Sequence, residues 1–295
     1  MNLYISSSSS MKKFLRNLVI YLSLVIAITL GLNGLYGFNY EDFTGKYMCF
    51  NFALSAQSLL YDYKILLNYK DKIKNGAYVF IVISYFSLFG KTEAEEKNFE
   101  SKNRRYYKFL PSSLIMNYDA KTDFYLNYLP VVLQSNILSI VKNLLFPPKE
   151  VINKWDKDTT PQEVKLDAEA AYTRHLVTNK TDENGMRIYN QEAFDSLYAM
   201  INLCRELGAY PILITTPFLS EYTDLITLRE PKFFSEFNSV IDKIKHDTGV
   251  EYYDYSQDKR YCRDYSLFLD SDHMNRKGAR KFTNDLLREV LGIVP

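Results

Sequence analysis

The chain has 295 residues, which suits one large α/β domain or one domain with a sizeable insertion. A formal net charge of +1 excludes nucleic-acid binding by bulk charge, while 47% apolar residues, with 25 tyrosines and 19 phenylalanines, supply a large core, an interface or a carbohydrate-binding surface. Cys49, Cys204 and Cys262 are widely spaced, make no CxxC and no zinc spacing, and read as small hydrophobes.

Lys12, Lys13 and Arg16 precede an uncharged apolar run from Leu18 to Leu32. Counted from Asn17 to Leu35, the stretch is about the ~20 residues a bilayer-crossing helix needs. Its basic flank predicts a single-pass anchor in the cell membrane, with the N-terminus inside and the domain extracytoplasmic. A signal peptide is the close alternative, although no small-x-small cleavage site and no lipobox cysteine stands nearby. A buried strand or helix is the third reading. Met11 follows the serine run Ser6–Ser10, and MKKFLRN is a typical basic leader, so residues 1–10 read as a disordered tail or as preceding the true start. Residues 1–33 are thus tail and anchor or signal, and 34–295 the folded domain.

Within that domain, Met48 to Leu54 is strand-like, and Ser55-Ala56-Gln57-Ser58 opens a helix through Leu59, Tyr63, Leu66 and Leu67. Tyr78 to Ser84 (YVFIVIS) is the strongest strand, apolar on both faces as a buried parallel strand should be. Residues from about 91 to 190 break the rhythm, being charged, then tyrosine-rich, and read as a helical, aromatic-rich insertion over one end of the sheet. Inside it, Thr160-Pro161-x-Glu163 marks a helix start. Lys102-Asn103-Arg104-Arg105 ahead of Tyr106-Tyr107 reads as a solvated face or as a contact for an anionic polymer. Gln191 to Leu207 is an amphipathic helix ended by Gly208. Pro211 to Thr215 is a strand, Lys232 to Lys245 a helix, Val250 to Tyr253 a strand, and Asn275 caps the last helix. Such alternation predicts a parallel sheet with helices on both faces, whose chemistry sits at the C-terminal ends of the strands.

Asp270-Ser271-Asp272-His273 lies on the loop before that last helix. A carboxylate three residues ahead of a histidine can fix its tautomer and stabilise the imidazolium that forms when it acts as a base. The plainer reading is that Asp270, Ser271 and Asp272 cap the helix beside an exposed His273. A metal held by Asp270, Asp272 and His273 lacks a further strong ligand nearby, so no metal and no cofactor is expected. His175, beside Arg174, reads as surface, and His246 as a structural residue at a helix end.

Asp270-x-x-His273-x-Asn275-x-x-Gly278-Ala279 resembles the final block of the SGNH, or GDSL-like, hydrolases. Asn51-Phe52-Ala53-Leu54-Ser55 stands where their second block would be, Val79 to Ser87 where the third ends, and Ile214-Thr215-Thr216-Pro217 matches the strand before their last helix pair. The likeness covers roughly residues 34–90 and 190–290, and is nearest to the membrane-anchored envelope branch that includes D-alanine transfer and polysaccharide O-acetyl esterase proteins. It implies a three-layer flavodoxin-like fold and acyl-ester chemistry on an envelope polysaccharide or acylated polymer, with His273 as base and Asp270 as its partner. Ala53, through its backbone N–H, and Ser84 are the oxyanion candidates the resemblance implies.

The resemblance breaks at the nucleophile. The family's serine sits on a tight turn after the first strand, yet no serine lies between Ser23 and Ser55. Val25 to Gly34 mimics that strand and turn with Asn33 at the serine position, and an amide has no proton an imidazole can usefully remove. Ser55 and Ser58, which also read as helix caps, are the fallback nucleophiles. The resemblance therefore leads to an acyl esterase or O-acyltransferase or, with the serine lost, an inactive binding or accessory module.

Overall fold

Five short segments pair in parallel: β1 (Ile26–Leu30), β2 (Met48–Asn51), β3 (Tyr78–Val82), β4 (Tyr210–Thr215) and β5 (Glu251–Asp254). Their order in the sheet is β2-β1-β3-β4-β5. This computed structural model describes residues 26–30, 34–43, 45–54, 57–96, 99–128, 154–177, 179 and 181–294. The chain is an α/β fold on an open parallel sheet.

β1 comes from the apolar run expected to span a membrane. Its backbone pairs on one side with β2 (Ile28 opposite Phe50) and on the other with β3 (Ile28 opposite Val79). The same backbone groups cannot also close the internal bonds of a spanning helix. The rest of the run, Leu18 to Val25, and the tail before it lie outside the described residues. Among the described residues no helix is long and apolar enough to cross a membrane.

Side chains of β3 and β4 alternate between two cores. Val79, Ile81 and Leu213 enter one, and Phe80, Val82, Ile212 and Ile214 the other, which is why YVFIV is apolar throughout. The first core is covered by the inward faces of α1 (Leu59–Asn68), by Phe194, Leu197 and Ile201 of the long helix Gln191–Glu206, and by Phe237, Val240, Ile241 and Ile244 of the helix Phe233–Thr248. The second is covered by Phe38, Phe43 and by Phe282, Leu286 and Leu287 of the terminal helix Arg276–Leu291. In chain order the longer helices after α1 are α2 (Ala120–Tyr128), α3 (Pro161–His175), α4 (Gln191–Glu206), α5 (Ser220–Arg229), α6 (Phe233–Thr248) and α7 (Arg276–Leu291).

The chain leaves this frame after Phe89 and rejoins it at Tyr189, and the two residues meet in an antiparallel bridge. Asn190 ties the junction: its N–H donates to Leu88 O (3.0 Å), its Nδ2 to Lys91 O (2.7 Å), and its Oδ1 accepts from Ala193 N (3.1 Å) to cap α4. Within the excursion α3 starts as expected, with Thr160 and Glu163 in a reciprocal capping box and Pro161 in the first turn. Tyr106 and Tyr107 are buried, so the aromatic half of that basic patch serves the core, while Lys102 pairs with Glu96 at 2.8 Å.

Asn275 caps α7 by accepting from Gly278 N (2.9 Å), while its Nδ2 donates to Asp158 Oδ1 (2.9 Å) and Ser266 O (3.0 Å). A Cβ on Gly278 would lie 2.0 Å from the carbonyl oxygen of Leu267, so no side chain fits there without moving backbone. Gly278→Ala is expected to cost about 2–3 kcal/mol by overpacking, read as a lower urea midpoint; an unchanged midpoint would contradict this packing.

Candidate active site

The loop from Leu267 to Asn275 is closed by backbone bonds from Asn275 N to Leu267 O (3.0 Å) and Leu269 N to His273 O (2.9 Å). Ser271 O accepts from Leu219 N (3.0 Å), just past β4, and Ser256, just past β5, accepts from Phe218 N (3.1 Å). The Tyr36 ring, in the helical turn that follows β1, meets His273 edge-on with centroids 4.9 Å apart. The loop is therefore held at the C-terminal edge of the sheet, where such folds keep their sites.

The three-residue spacing has a local cause. Asp270 Oδ1 accepts from the backbone N–H of Asp272 (3.1 Å) and of His273 (2.8 Å), a turn that carries the imidazole back over the same carboxylate. His273 Nδ1 then lies 2.9 Å from Asp270 Oδ1 and 3.1 Å from Oδ2. Among the described residues no hydroxyl hydrogen-bonds to the His273 ring. The plainer reading, a helix-capping acidic run, does not hold: Asn275 is the cap, Asp270 faces the histidine, and Ser271 donates through N (2.9 Å) and Oγ (2.7 Å) to Asp167 Oδ2 on α3.

Asp272 is only 1% exposed. Burial on its own would raise its pKa, but the neighbouring His273, His175 and Arg174 outweigh burial and hold the carboxyl well below the usual carboxylate range. Its Oδ1 is 3.5 Å from His273 Nδ1 and 3.8 Å from an Arg174 nitrogen, and its Oδ2 is 3.4 Å from His175 Nε2. Burial works to lower the proton affinity of His273, yet the charge of Asp272 and the hydrogen bond from Asp270 prevail and raise its pKa to about 9. Both carboxylates thus favour the imidazolium form of the resting ring.

His175, read from sequence as a surface residue, is part of this cluster. It ends α3, stacks on Phe86 with centroids 3.8 Å apart and planes 10° from parallel, and reaches Asp272. No spacing rule announces a contact across 97 positions, and only the helix-start signal at Thr160 hints that α3 is ordered. His246 is exposed in the last turn of α6, 3.3 Å from Asp247. Arg174, His175, Phe86, Ser87, Ser58 and Lys91 line a cleft of about 420 Å³ beside the loop.

The other expected site residues are scattered. The Ala53 N–H is taken by Asn51 Oδ1 (3.0 Å), and Asn51 Nδ2 by Gly34 O (2.8 Å), so this block braces the loop after β1. Ser84 is 1% exposed just past β3; its N–H donates to Ser87 Oγ (3.0 Å), and its own Oγ has no partner among the described residues. Ser58 precedes α1 without making a side-chain cap bond. Ser55 and Asn33 lie outside the described residues. Asp270, Asp272 and His273 offer ligand atoms within 4.8 Å of one another, a donor set of metal-binding type in which His273 Nδ1 is already bonded to Asp270. Cys204 and Cys262 are buried, and burial pushes the Cys204 thiol up to about 12, as suits a hydrophobe. No protein-family model and no curated protein matches the chain.

The charge balance predicts a pH dependence. With a folded pKa of about 9 against an ordinary value of about 6.5, His273 stabilises the fold fully below about pH 6.5, and that contribution is lost as pH rises through 9. Urea titrations should show stability falling across this window, and Asp272→Asn should flatten the fall. A slope unchanged in Asp272→Asn would show that the carboxylate does not hold the proton.

Proposed function

We propose that the protein is an SGNH-hydrolase-like acyl esterase or O-acyltransferase acting on an ester of a cell-envelope glycan or polymer. The observation that carries this reading is the Asp270 carboxylate on His273 Nδ1 at the C-terminal edge of the sheet, which leaves the other ring nitrogen for chemistry. The strand order β2-β1-β3-β4-β5 is that of flavodoxin-like sheets and supports the finer, three-layer SGNH-type layout. In the proposed reaction a hydroxyl gives its proton to His273 as it attacks the acyl carbon, Asp270 steadies the imidazolium, and the proton returns to the leaving oxygen. Such a hydroxyl belongs on the turn after β1, and Tyr36, a few residues beyond that turn, already touches His273. Within this reading the basic and apolar stretch from Lys12 to Val25 acts as the export or membrane-targeting signal ahead of β1; its eight uncharged residues from Leu18 match the apolar core of about 7–15 residues that such signals carry.

A second reading, a binding or accessory module on the same scaffold, is favoured by one observation: among the described residues no hydroxyl reaches the imidazole, and Asn33 stands at the serine position. Hydrolysis of a short-chain aryl ester separates the two. The esterase reading expects turnover that rises with pH towards an apparent pKa of about 9, because the base must be neutral. It expects a loss of at least about 100-fold in His273→Ala, in line with the usual weight of general-base catalysis. Equal rates in both proteins, or none in either, would leave the binding module.

A further inference from the structure

We infer that His175 is a positioning residue for His273, acting by keeping the Arg174 guanidinium off the carboxylate that the two histidines share. The inference rests on the reading of His273 as the base of the site. It concerns a residue from the excursion between β3 and α4, outside the segments that carry the family resemblance.

Three distances carry the argument. Arg174 Nε lies 3.2 Å from His175 Nε2, Arg174 NH2 lies 3.8 Å from Asp272 Oδ1, and His175 Nε2 lies 3.4 Å from Asp272 Oδ2. A guanidinium N–H can only donate, so in this hydrogen bond His175 Nε2 is the acceptor. The imidazole therefore holds the arginine in a hydrogen bond beside Asp272, at 3.8 Å and so short of a hydrogen bond to it, and the carboxylate's charge stays available to His273 Nδ1, 3.5 Å away. The ring cannot drift, because it is stacked face to face on Phe86. The carboxylate cannot drift either: the backbone of its loop is pinned to α3 through Ser271 and Asp167, and to the start of α5 through Leu219.

The chemistry of the neighbours makes the competition real. Arginine is the better partner for a buried carboxylate, since its planar fork can bond both oxygens, whereas an imidazolium offers one N–H. Released from His175, Arg174 has less than 1 Å to travel to reach bonding distance of Asp272. The titratable and charged groups facing His175 and its carboxylate are Asp167 and Arg174 from α3, Asp270, Asp272 and His273 from the loop, and Tyr222 from α5, whose buried phenol is held well above its usual pKa. Asp167 is committed to Ser271 and Asp270 to His273, so Arg174 is the cation that can take Asp272 away.

The test follows the three histidines by long-range imidazole nitrogen NMR, with His246, exposed on α6, as an internal control. His175→Phe keeps a ring for the stack and removes the acceptor. The expected result is a fall in the His273 pKa of about one unit or more, a tenfold loss of proton affinity. Arg174→Gln should leave that pKa at or above the wild-type value. The double variant Arg174→Gln/His175→Phe should bring it back, because the competitor is gone. His175→Gln, which retains an acceptor, should sit near wild type and serves as the fallback if the phenylalanine variant does not fold. An unchanged His273 in His175→Phe, or an equal fall in the double variant, would overturn the inference and leave His175 as packing alone. Absent ester hydrolysis beside an intact pKa cycle would sink the enzymatic reading and spare the positioning role.

Discussion

A carboxylate removed from water must be paired, and the pairing of Asp272 organises this end of the molecule. An isolated buried anion would cost far more than a domain can spend, so the group either takes up a proton or collects cations. Here it is surrounded by partners, the His273 ring on one side and the His175 ring and Arg174 guanidinium on the other, and its carboxyl stays well below the usual carboxylate range despite burial. Two of those three partners come from the last turn of α3, where the negative end of the helix dipole also favours positive charge. The excursion between β3 and α4 is thereby bound to the loop from Leu267 to Asn275 through a buried charge, and the loop in turn is bound to the sheet through Leu219 and Ser271.

The C-terminal sequence block divides into two jobs. Asp270 and His273 make the imidazole–carboxylate pair. Asn275 and Gly278 have no chemical role in this geometry: the asparagine caps α7 and knots three strands of loop together, and the glycine lets the helix start against the Leu267 carbonyl. Both jobs sit in one short stretch because the loop must be rigid for the histidine to be placed, and a helix N-terminus packed hard against backbone is a rigid anchor. Asn51 shows the same division at the other end of the site. It opens the segment that resembles the family's second block, yet its Nδ2 is spent on Gly34 O in the turn after β1 and its Oδ1 on the Ala53 N–H.

Much of the fold was legible in the residues, for physical reasons. β3 is apolar on both faces because it is central and covered twice, and α3, α4 and α7 announce themselves by caps whose side-chain bonds are local. Local physics also explains why Asp270 and His273 could be paired from spacing alone. The apolar run at Leu18–Leu32 was ambiguous because an inner parallel strand and the core of a membrane span demand the same side chains, and the pairing of Ile26–Leu30 with two neighbours assigns those five residues to the sheet. Asp272 and His175 were illegible for the opposite reason. Nothing local marks Asp272 as buried, and its partners arrive from a helix nearly a hundred residues earlier, across a segment whose composition suggested only a cover.

The charge state of His273 bears on either function. Two carboxylates give the ring a high proton affinity, and the same field that would stabilise an imidazolium formed during catalysis also favours the protonated ring at rest. A base with this affinity is strong when free and seldom free. Whatever moves Asp272 between His273 and Arg174 therefore sets how much base the site holds, without touching His273 or Asp270. Arg174 and His175 line the adjacent cleft, so a ligand there would meet the very groups that decide the partition. The enzymatic and the binding reading share this charge arrangement and part at whether a hydroxyl reaches the imidazole.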